Sequence, residues 1–180
     1  MTSEEYVQLK AFARVDGALL SLLWVGSFAC YILGMKSQLM GMTAIFLAVM
    51  SPFFVAKRLR QFRDHALEGL LSFMRGWAYV ILTFFYAGLL FALAQYGYFA
   101  FLDHGYLLMK LEEVMTTPEF GTLMSQYGMG DAVSQMMDQF REVRPIDFAL
   151  HGLSTNIMLG ILLGLPIAAL MRRTEKIVNR

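Results

Sequence analysis

Apolar residues fall along this chain in four long runs, separated by short polar breaks and one longer hydrophilic stretch. Gly17 to Met35, Ser37 to Ala56 and Gly76 to Leu102 contain no Asp, Glu, Lys or Arg, and Phe148 to Met171 is equally free of them. A helix of about 20 residues, rising about 1.5 Å per residue, crosses the roughly 30 Å of bilayer hydrocarbon. The pattern therefore predicts four membrane-spanning helices, at about 16–35, 39–56, 76–102 and 148–171. Lys36-Ser37-Gln38 leaves room only for a tight turn, so the second span returns antiparallel to the first. Ser51-Pro52 near the inner end of that second span is expected to kink or end its regular hydrogen bonding.

Three further segments are amphipathic. Residues 1–14 read as a short lead-in helix, capped by Thr2 or Ser3 with Glu4 and Glu5 in its first turn. Residues 57–75 place Leu59, Phe62, Ala66, Leu70 and Phe73 at helical spacing, with Lys57, Arg58, Arg60 and Arg63 crowded into the first half. That is the pattern of a helix lying in the interface, basic side toward anionic headgroups. A solvated connector carrying ordinary cytoplasmic charges fits the same residues. Residues 103–146 hold three periodic apolar sets, around Leu107–Met115, Phe120–Tyr127 and Val133–Val143. Thr117-Pro118 marks a helix start, Gly128 and Gly130 interrupt the pattern, and Asp131 is placed to cap the last segment. Three short helices are expected there.

Composition agrees with lipid as the solvent. The chain of 180 residues is 57% hydrophobic and 16% charged, against roughly 45–50% and 25% in soluble proteins. The fold class expected is an all-α membrane protein, one membrane domain over residues 1–180. The single cysteine, Cys30, permits no intramolecular disulfide and sits in an apolar run as a small hydrophobe. The first run is of span length and lacks a cleavage site of small residues, so it is read as retained rather than as a signal peptide. Lys10, Arg14, Lys57, Arg58, Arg60, Arg63, Arg75, Arg172, Arg173, Lys176 and Arg180 fall on one side of the four spans. Lys36, Lys110, Arg141 and Arg144 fall on the other. The positive-inside rule then places both termini in the cytoplasm and residues 103–146 outside, in a multi-pass membrane protein.

Candidate chemistry is sparse. No nucleophile–base set, phosphate-cradling glycine loop or zinc box is present, so no catalytic, cofactor or metal residue is assigned and a non-enzyme is expected. Nothing points to nucleic acid. Arg63-Asp64-His65 with Glu68 reads as locally balanced charge. Asp147 and His151 lie one helical turn apart with Asn156 below them, and Asp103 and His104 end the third span on the same side. Such a cluster could hold a metal or relay a proton, although no ligand spacing links it and Asp147 suits a helix cap. Gly152, Asn156, Gly160, Gly164 and Ala168 make one stripe, with Gly160 and Gly164 forming a small-xxx-small motif. Packing against the other spans is favoured over a homodimer seam, with Gly26, Cys30 and Gly34 as a matching groove on span one.

Phe62-Arg63-Asp64, continuing through Glu68-Gly69-Leu70-Leu71-Ser72-Phe73 into the third span, resembles an uncharacterised family of four-helix inner-membrane proteins common in Bacteroidetes. That family is a domain of unknown function, so the resemblance carries over no catalytic residue. It implies proximity to a membrane glycosyltransferase acting on polyprenyl phosphate, with the basic segment Lys57, Arg58, Arg60, Arg63 and Arg75 as the dock for lipid or partner. The function expected is a non-catalytic accessory or scaffold subunit that binds anionic lipid and a protein partner, or a second copy of itself. The alternative is a small oligomeric transporter or flippase. A lipid-modifying enzyme would rest on the Asp/His cluster alone.

Overall fold

The computed structural model describes residues 2–174; Glu175, Lys176 and Arg180 of the expected basic tail lie outside the described residues. The described residues form seven helices: α1 (Ser3–Gly34), α2 (Gln38–Ala66), α3 (Phe73–Phe101), α4 (Tyr106–Met115), α5 (Pro118–Gln126), α6 (Gly130–Glu142) and α7 (Pro145–Met171). No strand occurs among them. α1, α2, α3 and α7 are long and apolar enough to cross a membrane. The chain divides into two compact units, one from the described parts of Met1–Leu93 and His151–Arg180, the other Ala94–Leu150.

Two boundaries differ from the sequence reading for one physical reason. The lead-in helix over 1–14 is not separate, because it continues into the first span as α1. It starts at a capping box in which the Thr2 hydroxyl and the Glu5 carboxylate satisfy each other's backbone N–H. Residues 57–66 likewise do not form an independent interfacial helix. They are the last turns of α2, which runs through Pro52 to Ala66. A turn follows, with Glu68 and Gly69 at positive φ, and α3 starts at Phe73. In both places helical periodicity crosses the edge of the apolar run unbroken, so the helix ignores the change in solvent. Pro145 opens α7, where its missing N–H costs nothing.

The first unit buries one stripe from each long helix. Leu9, Ala13, Asp16, Leu20 and Trp24 recur at three- and four-residue spacing on α1, and Val55, Leu59 and Phe62 do so on α2. Tyr79, Val80, Phe84 and Ala87 supply α3, and Ile167 and Ala168 supply α7. The outward faces carry large exposed apolar residues, such as Leu22, Ile45, Phe53 and Leu170. Lipid can solvate such surface. An antiparallel backbone pair, Leu71 N–H to Arg173 O at 2.8 Å and Arg173 N–H to Leu71 O at 3.0 Å, ties the α2–α3 turn to the chain just past α7.

The glycines of α7 are used inside the chain. A Cβ on Gly160 would lie 2.5 Å from Phe84 Cβ, and one on Gly164 would lie 2.8 Å from Trp77 Cδ1. Gly160 and Gly164 therefore seat α7 against α3. Gly152 lies on the same helix, half-buried. The groove assigned to span one is not used this way. Gly34 faces Gly41 of α2, and a Cβ added at Gly26 would meet no atom within 4 Å.

The second unit contains the three short helices anticipated over 103–146. Thr117 precedes α5 with Pro118 at its first position, and Gly128 takes a positive φ of 65° before α6. Asp131 lies in the first turn of α6 rather than at its cap, which is Met129. Arg141 of α6 donates to Glu112 of α4 from Nε at 3.0 Å and Nη2 at 2.7 Å. Phe148 stacks on Phe99, with ring centroids 4.5 Å apart.

Gly160→Ala should lower stability by about 1–3 kcal/mol, because Phe84 must move to admit the methyl. Gly26→Ala should be neutral within about 0.5 kcal/mol. Unfolding midpoints in detergent measure both, and equal midpoints for the two variants would refute the close α3–α7 contact.

Candidate functional site

One acidic residue lies alone between Glu5 and Asp64 in the sequence, and it is the most consequential polar group in the first unit. Asp16 of α1 is 1% exposed. Its Oδ1 accepts from the Arg58 guanidinium of α2 and its Oδ2 from the Tyr79 hydroxyl of α3. A carboxylate taken out of water is tolerated only when paired and hydrogen-bonded, and here both oxygens are engaged. The neighbouring Gly17 makes this reach possible. A Cβ there would sit 2.7 Å from Tyr86 Cβ and 2.8 Å from the Thr83 carbonyl, so only glycine lets α3 approach α1 at this level.

Neighbouring groups hold the three partners in place. The Tyr79 ring stacks on Phe62 at 5.1 Å and 14°, and Phe62 meets Phe12 at 5.0 Å. Arg58 Nη1 also donates to Gln61 Oε1 at 2.9 Å. A cavity of about 260 Å³ opens beside the tie, lined by Phe12, Asp16, Arg58, Gln61, Phe62 and His65. The arrangement is a clamp across three helices, with the carboxylate enclosed and the guanidinium only partly exposed.

The residues assigned to a basic dock separate into two groups. Lys57 and Arg60 are exposed on α2, and neither joins two helices. Arg58 is taken by Asp16. Arg63 donates from Nη1 to the Met171 carbonyl at 3.1 Å, at the end of α7, and pairs with Asp64 at 2.7 Å. Arg75 pairs with Glu5 at 3.3 Å and lies 6.0 Å from the Phe62 ring centre. Three of the five cations are thus taken up in joining helices. Charge density on the chain revealed their number, whereas their partners are too distant in sequence to be inferred from spacing.

The polar cluster is divided among local tasks. Asp103 accepts from the N–H groups of Gly105 at 3.1 Å and Leu107 at 3.2 Å, which starts α4. His104 is exposed, at a φ of 47°, with Nδ1 3.0 Å from the Leu102 carbonyl. Asp147 accepts from the Arg144 backbone N–H at 3.0 Å and from its guanidinium at 2.9 and 3.0 Å, so it serves as the cap of α7. That carboxylate raises the Arg144 pKa above its usual value through their hydrogen bonds, and Glu112 does the same for Arg141. His151 is exposed on α7, and Asn156 is half-buried further along it. Among the described residues, no three His, Cys, Asp or Glu side chains converge as a metal site.

Asp16, Tyr79 and Gln61 were not singled out as site residues from the sequence. The signal for them was the isolation of Asp16 at the edge of an apolar run, since a lone carboxylate there demands a cation from another helix.

Residues 16–173 match the family described as "Protein of unknown function (DUF4199)". No curated protein and no solved structure matches the chain.

Arg58→Met should destabilise the protein by about 3–5 kcal/mol, since it strands the buried carboxylate of Asp16, whereas Asp16→Asn should cost about 1–3 kcal/mol, because the partly exposed Arg58 keeps Gln61 as an acceptor. The double variant should recover most of that loss. A double-mutant cycle on unfolding midpoints measures the coupling, and strictly additive losses would show that the pair is not coupled.

Proposed function

Because the chain belongs to the DUF4199 family of proteins of unknown function, we propose its role from its own surfaces: it is a non-catalytic accessory subunit of a bacterial inner membrane, which recruits or positions a protein partner. Both termini face the cytoplasm and α4 to α6 face outward, following the bias of Lys and Arg toward one side of the four spans.

The observation that carries this reading is the apolar exposure of the second unit outside the candidate spans. Leu123, Tyr127, Met129 and Met136 are exposed on or beside α5 and α6, among the acidic residues Glu119, Asp131 and Asp138. Large apolar residues rimmed by charge mark a surface that another protein covers. On the cytoplasmic side, Lys57 and Arg60 are placed to meet anionic headgroups. The partner implied by the sequence resemblance, a glycosyltransferase acting on a polyprenyl phosphate, is one that the test can identify. A transporter needs a polar path through the bundle, and the cavity among the spans holds Ser27, Ser51 and Asn156 among mostly apolar and aromatic residues and no charged one, which weighs against that alternative.

Purification in mild detergent should recover a stoichiometric membrane partner, and Tyr127→Ser combined with Leu123→Ser should reduce its recovery at least about fivefold. Undiminished recovery with the double variant, or isolation of the bare chain from several detergents, would remove this role. A periplasm-active reporter should function when inserted near Gly128 and fail when fused at the C-terminus. The reverse pattern would invert the orientation.

A further inference from the structure

We infer that the first unit holds a binding site for an uncharged amphiphile, an apolar chain or ring bearing one carbonyl or hydroxyl group, which hydrogen-bonds to Asn156. This goes beyond the accessory role and does not depend on it. A cavity of about 390 Å³ lies among α1, α2, α3 and α7, within the roughly 300–1,000 Å³ typical of small-molecule sites. Its walls are largely aromatic. Trp24 meets Phe84 at 5.5 Å and Phe91 at 5.8 Å, both edge-on, and Phe28 meets Phe91 at 5.9 Å. These mutual contacts hold the rings in place without a ligand.

The polar groups of this cavity decide its chemistry. Trp24 Nε1 donates to Ser51 Oγ at 2.8 Å, and Ser27 Oγ donates to the Ala44 carbonyl at 2.8 Å. Tyr31 is exposed near the end of α1. Asn156 differs from all of these. It stands near the middle of α7, its Cβ is packed close to Gly88, and its carboxamide has no hydrogen-bond partner among the described residues.

A carboxamide offers two donors and an acceptor. Left unmade in hydrocarbon, those bonds carry a free-energy penalty that lipid tails cannot relieve. The side chain could have folded back onto the preceding turn, and it does not. An incoming carbonyl or hydroxyl satisfies it while the aromatic walls cover the apolar remainder. No charged side chain lines the cavity, so an anionic or cationic head would enter without a counter-ion and is disfavoured.

The test uses the full chain in lipid nanodiscs and three photoactivatable probes of equal length: a long-chain alcohol, the matching hydrocarbon and the matching carboxylate. The alcohol should label the segments around Trp24–Phe28 and Asn156–Leu163 preferentially over the other two. Asn156→Leu should reduce that labelling about three- to twentyfold, the range expected for one hydrogen bond in a membrane, with hydrocarbon labelling unchanged. Ala48→Trp, at an exposed wall position, should reduce labelling by both probes and serves if the Asn156 variant fails to fold. Equal labelling by alcohol and hydrocarbon would show that bilayer lipid merely fills the space. Undiminished alcohol labelling in a folded Asn156→Leu protein would equally overturn the site.

Discussion

A carboxylate buried among apolar helices must find donors, and the core of the first unit is arranged around that demand at Asp16. Its two oxygens draw Arg58 from α2 and Tyr79 from α3, so a single side chain fixes the rotation of three helices about their axes. Hydrophobic packing alone would not do so. In a bilayer, lipid tails solvate Leu or Phe almost as well as another helix does, and several rotations of a given span are therefore of similar energy. A buried ion pair separates them, because only one rotation leaves no charge unpaired. Gly17 and Asp16 are adjacent for this reason: the close approach and the polar contact it permits occur at the same level of α1.

The same end of the first unit is tied further by groups that need partners. Arg63 donates to the last carbonyl of α7, which a helix C-terminus leaves open, and Leu71 and Arg173 exchange backbone hydrogen bonds across the turn. Arg75 reaches back to Glu5 in the first turn of α1. Each tie uses a charge or a backbone group that the apolar environment would otherwise leave unsatisfied. The basic stretch after the second span thus acts partly as internal fastening. Lys57 and Arg60 of α2 take no part in it and stay exposed.

Much of the fold was legible in the sequence because it rests on composition over long windows. Four runs without charge became four helices of spanning length, and periodic apolar sets over 103–146 became α4, α5 and α6. Thr117-Pro118 began a helix as expected, because proline at that position meets a local rule that needs no tertiary information. The misplaced boundaries arose where apolarity and helicity part company. Helix α2 outlasts its apolar run from Lys57 to Ala66, since the hydrogen-bond ladder propagates as readily through Lys and Arg as through Leu. The Asp16 clamp was not legible for a different reason. Its partners stand 42 and 63 positions away, and no spacing rule links residues that meet only through helix packing. The glycine stripe of α7 was readable as a packing face, but its partner rings, Phe84 and Trp77, were not.

Asp16 and Asn156 show opposite outcomes of one constraint. Both are polar groups on spanning helices, and both are costly unless hydrogen-bonded. Asp16 is satisfied entirely from within, by residues whose own positions are locked by stacking on Phe62 and by Gln61. Asn156 has Gly88 beside its Cβ, where a larger residue would crowd it, and faces a cavity in which Trp24, Ser27 and Ser51 have already paired elsewhere. Had the carboxamide served only to join helices, a partner side chain on α1 or α2 would have met it, as Arg58 meets Asp16. The fold supplies aromatic walls and free volume there instead, so the hydrogen bonds of Asn156 remain for a group that the chain itself does not provide.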